Sequence, residues 1–124
     1  MSFSNLLLEL LLELKEMPTM YLGEKSLKHL RHFVCGAVLF NQKISNQYEE
    51  FLPGFELFVK IKYNTTETRD VYGVIIINTS SDEEALDRYF ELLDEFLALS
   101  EDNRKDLFAK WMEERFPPCE EEQQ

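Results

Sequence analysis

The sequence is short of bases. Its 124 residues carry 13 Lys and Arg against 24 Asp and Glu, a formal charge of −11. Nucleic acid and anionic membrane surfaces are both held by positive charge, so neither is expected as a partner; the balance suits a basic protein surface, though on charge alone mere solubility is the favoured reading. Cysteine is nearly absent. Cys35 sits in an apolar helical pattern and Cys119 near the C-terminus. Two such distant residues make neither a disulfide framework nor a metal-ligand spacing, which fits a reducing compartment. The four glycines never repeat as GxGxxG or GxxxxGK[ST], so Gly23 in "YLGEK" has no phosphate cradle around it. No run of about eighteen apolar residues exists to span a membrane. The opening "MSFSNLLLELLLELKE" has no base before its apolar run and is interrupted by Glu9 and Glu13, unlike a secretory signal. Asn64-Thr65-Thr66 and Asn78-Thr79-Ser80 match the glycosylation pattern by chance in that setting. A cytoplasmic protein is expected.

What is present is apolar bulk. A hydrophobic fraction of 44% with ten Phe is enough for one core, and one domain over residues 1–116 is expected. Phe3, Leu7, Leu10 and Leu14 recur at helical spacing, and Pro18 ends that pattern, predicting a helix over 4–16. Ser26 is a good N-cap for a second helix over 26–43, with Leu27, Leu30, Val34, Ala37 and Val38 as its buried stripe. Cys35 beside that stripe reads as a small packed hydrophobe. Gly36 in mid-helix costs about 1 kcal/mol relative to Ala, which a close helix crossing would explain. Asn46 can cap a short third helix over "QYEEFL", closed by Pro53-Gly54.

Residues 55–63, "FELFVKIKY", satisfy two periods at once. Phe55, Leu57, Val59, Ile61 and Tyr63 alternate as in a strand, while Phe55, Phe58, Val59 and Lys62 share a helical face. "VYGVIIIN" is β-branched, so local propensity favours a hairpin over 55–78. Beyond it, Ser81 and Glu84 form a capping box before a helix over 82–99. A last helix over 101–115 shows Leu107, Phe108, Trp111 and Met112, and residues 117–124 read as an acidic, disordered tail.

Chemistry is hard to find. His29 and His32 stand at i, i+3 with no third ligand beside them. A Cys35–His32 pair would need an exposed, activated thiol. No nucleophile, base and orienting group form a constellation, so no cofactor is expected and an enzyme is not. Acids are another matter. Asp82, Glu83, Glu84, Asp87, Glu91, Asp94 and Glu95 line the outer side of the 82–99 helix, with Glu49, Glu50 and Glu67 as a second group. Any one of them reads as a solvated surface residue, but together they form a ridge able to meet a basic protein. Tyr48, Tyr72 and Trp111 are possible anchors at such a contact, or members of the core.

"ELKEMPTMYLGEKSLKHLRHFVCG" resembles the "RPgMYLG.kSl..L..Fi.Gy" opening of a family of small bacterial proteins. "FLPGFELFVKIKY" and "VYGVIIINTSSDEEALDRYFELLDEF" are similar to that family's later segments, so the likeness spans roughly residues 8 to 97. The family is identified with immunity proteins of contact-dependent growth inhibition and polymorphic toxin loci. The resemblance implies a cytoplasmic protein that binds and neutralises the C-terminal domain of a cognate toxin, commonly a basic nuclease. The chain departs from the pattern at Met17, at Ala37-Val38 and at Tyr72-Gly73. In such relatives the segments matching 55–63 and 71–78 are helical. The expected fold is therefore mainly α, a compact bundle of about five to six helices, over the α+β alternative. The other functional reading is a small acidic adaptor module, monomeric or homodimeric; the chain is expected to be a monomer or weak dimer when free.

Overall fold

A computed structural model describes residues 2–117. Among them are seven helices and no strand. Helix α1 (Phe3–Glu16) starts at Ser2, whose hydroxyl accepts from the Asn5 amide. It buries Leu7, Leu11 and Leu14. Pro18 does more than stop it. Proline is well suited to a first helical turn, where its missing N–H is not needed, and α2 (Pro18–Leu22) begins there. Gly23, with φ of +84°, ends that turn. Tyr21 and Leu22 pack against the core, and the "MPTMYLGEKS" stretch is a joint between helices.

Helix α3 (Leu27–Ser45) is capped by Ser26, which accepts from the His29 amide at 3.1 Å. Leu27, Leu30 and Val34 are buried, while Ala37 and Val38 are only half-buried. Two expectations fail on this helix. Cys35 is exposed rather than packed as a small hydrophobe. Gly36 has nothing within 4 Å of where a Cβ would stand, so no close crossing accounts for it.

The expected helix over "QYEEFL" does not form. Asn46 adopts φ of +59° and ends α3 as its C-cap instead of starting a new element. The chain after it is used as a strap: the Glu49 carboxylate accepts from the Ser4 amide at 2.9 Å, and the Glu50 carbonyl accepts from the Ser4 hydroxyl. A carboxylate at the start of α1 satisfies a donor that the helix leaves open.

Residues 55–78 form no hairpin. They make α4 (Phe55–Lys62) and α5 (Val71–Ile77). Helical period places Phe55, Phe58 and Val59 together in the core, and Asp70 caps α5 by accepting from the Gly73 amide at 2.8 Å. Tertiary burial thus overrides the β preference of "VIII". Helix α6 (Asp82–Ala98) runs through the centre and buries Ala85, Leu86, Tyr89, Phe90, Leu92, Leu93 and Phe96. Phe55, Phe58, Tyr89 and Phe96 make one aromatic cluster with ring centroids 5.3 to 6.4 Å apart, each pair adding about 0.5–1.5 kcal/mol beyond area burial. Helix α7 (Glu101–Arg115) buries no residue fully. It is held by Phe108 beside Gly54 and by Arg104, whose guanidinium lies 4.1 Å from the Phe96 ring centroid. The expected tail lies, from residue 118 on, outside the described residues, as does Cys119. No helix among the described residues is long and apolar enough to cross a membrane.

Candidate functional site

The acidic ridge stands on α6 as expected, but much of it is already engaged. Asp82 is partly buried and accepts from the Ser26 hydroxyl and the Lys28 amide at the start of α3. Glu83 and Asp87 share Lys25 at 3.6 and 3.2 Å. Asp94 pairs with Lys15 at 2.8 Å and Glu95 with Lys62 at 3.2 Å, while Glu91 meets Arg88 at 3.4 Å. Hydrogen bonds from the Ser80 hydroxyl and amide hold the Glu84 carboxyl below its ordinary value. Seven carboxylates therefore face four cations, Lys15, Lys25, Lys62 and Arg88, and the ridge keeps a surplus of three negative charges. These exposed pairs each contribute about 0–1 kcal/mol. Their lysines can be traded for a partner's cations at little cost.

The second acidic group does not come together. Glu49 is spent on α1, where hydrogen bonding from Ser4 lowers its carboxyl. Glu67 pairs with Arg69 in the loop before α5. Glu50 is exposed and makes no ion pair among the described residues. Of the aromatic candidates, Tyr48 is 66% exposed whereas Tyr72 is 8% exposed and belongs to the core. Its ring stacks on Tyr89 at 5.7 Å and 8°, and burial pushes both phenols well above the ordinary value. Trp111 is half-buried on α7, with Arg115 and Phe116 near its ring.

Tyr48, Glu50 and Tyr72 do meet at one place. A groove of about 380 Å³ opens between α3, α5 and the connection after Asn46. Tyr72, Tyr89 and Phe55 form part of its floor, and Cys35, Val38 and Leu39 part of one wall. Its lining contains the carboxylates of Glu50, Glu56 and Asp70 and no Lys or Arg. Asp70 is met by Arg31 at 2.7 Å and Glu56 by Lys60 at 3.6 Å, both from outside the groove.

Sequence reasoning missed the feature beside it. The last two turns of α3 stand clear of the bundle, leaving Leu39, Phe40 and Ile44 at 55%, 68% and 70% exposure. The signal was available in the sequence. These three apolar residues fall outside the stripe that the core uses, on a helix that continues past it.

His29 is occupied elsewhere, and His32 is exposed. The His29 ring reaches the Leu22 carbonyl at 2.9 Å and Glu24 at 3.3 Å, which fixes the α2–α3 joint. Among the described residues no group of three or more His, Cys, Asp or Glu is placed to hold a metal ion. Compared with known proteins, the chain matches no family model, no curated protein and no solved structure.

Proposed function

We propose that this protein is an immunity protein, which neutralises the C-terminal domain of a cognate toxin by direct association. The observation that carries the reading is the projecting end of α3. There Leu39, Phe40, Ile44 and the neighbouring Tyr48 are all more than half exposed on a chain of charge −11. Burying each such side chain against a partner contributes about 1.5–3 kcal/mol, which is how a few residues dominate an interface. The surplus charge selects a basic partner and accelerates encounter, since complementary fields raise association rates and suppress acidic competitors. A nuclease domain is basic where it holds phosphate, and an acidic helical surface laid over that region competes with the substrate. The resemblance of residues 8–97 to immunity proteins supports the choice of partner.

The test is co-expression with the C-terminal domain encoded by the gene immediately upstream, with a tag on that domain alone. A stoichiometric complex and rescue of growth are expected. Absence of both would leave the acidic-adaptor reading, for which Phe40 and Ile44 offer a self-association surface. Sedimentation of the free chain then decides that reading.

A further inference from the structure

We propose that the groove between α3 and α5 is the specificity pocket of this interface, taking an apolar side chain of the partner that is flanked by a lysine or arginine. The inference deepens the immunity reading and rests on it.

The groove is apolar at its floor and anionic at its rim. Tyr72 and Val38 offer apolar contact surface, and of the three carboxylates in the lining Asp70 and Glu56 are met from outside by Arg31 and Lys60 while Glu50 is not. The comparison within the molecule is direct. A second cleft, between α1, α2 and α6, is lined by Lys15 and Lys25 as well as by Glu16, Asp87, Glu91 and Asp94. There Lys15 pairs with Asp94 and Lys25 with Asp87, so an incoming cation would compete with resident lysines. In the α3–α5 groove, Glu50 has no internal counter-charge among the described residues. An incoming cation there meets a carboxylate that gives up nothing to receive it, while an apolar neighbour displaces water from above Tyr72.

Other occupants fit the charge badly. A second copy of this chain brings another −11, and residues 118–124 carry three glutamates. Like charges placed against Glu50, Glu56 and Asp70 oppose docking. Ridge and groove also divide the work. The ridge acts at a distance on association, whereas the groove acts in contact and so governs dissociation.

Cys35 makes the assignment testable, because its exposed thiol lies in the groove wall. In a Cys119→Ser background, N-ethylmaleimide should modify Cys35 readily in the free chain. The toxin domain encoded upstream should slow that reaction about tenfold or more. Cys35→Phe, which fills the groove from an exposed position, and Glu50→Gln should each weaken binding of that domain about tenfold, chiefly through faster dissociation. Circular dichroism should show both variants folded. Neutralising Glu83 and Asp87 should instead slow association. A complex in which Cys35 reacts at its free rate, and in which both groove variants bind like wild type, overturns the pocket and leaves the immunity reading intact. If the wild-type chain does not bind the domain at all, the immunity reading falls, and the pocket's assignment to this partner falls with it.

Discussion

The hydroxyl of Ser26 donates to the carboxylate of Asp82, tying the N-cap of α3 to the first residue of α6. The same hydroxyl accepts from the His29 amide, and Asp82 also accepts from the Lys28 amide at 3.2 Å. One short network thus satisfies open donors at the start of α3 and fixes how the two longest helices meet. Ser26 is 2% exposed, so little water is available to replace a lost partner.

Asp82→Ala and Ser26→Ala should therefore each lower stability by about 1–2 kcal/mol, read as a shift in the urea midpoint. Asp82→Asn should lose less, because an amide oxygen still accepts. If the proposed toxin partner is bound, its capture by folded Asp82→Asn should match wild type. A large loss of capture there, without a stability change, would return Asp82 to the interface.

Two glycines should respond to alanine with opposite signs. Gly54 has φ of +89°, and a Cβ there would stand 3.2 Å from Cε2 of Phe108. Gly54→Ala should destabilise by about 1–2 kcal/mol and loosen α7. Gly36 is an exposed helical residue with free space around it, so Gly36→Ala should stabilise by up to about 1 kcal/mol. Thermal midpoints of the two variants decide both.

Acid should weaken the fold through its caps. Hydrogen bonds from Ser4 lower the Glu49 carboxyl and those from Ser80 lower the Glu84 carboxyl, each from an ordinary value of 4.5. The folded chain therefore binds these protons less tightly than the unfolded chain. The stability they contribute is fully present above 4.5 and is lost as pH falls below it. Urea midpoints of wild type should fall between pH 5 and pH 3 more steeply than those of a Glu49→Gln, Glu84→Gln double variant. Parallel curves for the two proteins would remove the caps from the explanation.

Helix α7 should open before the rest. Its anchors are few: the Arg104 guanidinium over the Phe96 ring, the Arg104 Nη2 donating to the Phe96 carbonyl at 3.0 Å, and Phe108 beside Gly54. Arg104→Ala should speed amide exchange across 101–115 several-fold while moving the global midpoint by about 1 kcal/mol or less. Equal exchange in α7 and α6 would contradict it.

Much of this architecture was legible in the sequence, because α1, α3, α6 and α7 announce themselves by apolar spacing, and α3 and α6 also by their caps. Their expected limits of 4–16, 26–43, 82–99 and 101–115 fall within two residues of those observed. What misled was local and specific. Asn46 offers a side chain suited to an N-cap but was needed in the left-handed conformation that ends α3. The run "VIII" favours a strand locally, and packing against α3, α4 and α6 makes its helix worth forming. The α6 ridge was visible as charge, but the lysines that neutralise part of it come from residues 15, 25 and 62. Sequence distance hid those pairs. The groove was hidden for the same reason, since Cys35, Tyr48, Glu50 and Tyr72 meet only through packing.

The projecting end of α3 also bears on how the protein behaves in bulk. Leu39, Phe40 and Ile44 face solvent, and what keeps two molecules from sticking there is mutual repulsion between strongly negative chains. That protection is colloidal and vanishes near the isoelectric point of about 4.6. Concentrated solutions should turn cloudy close to that pH and clear again on returning to neutrality. High salt should narrow the margin by screening the repulsion.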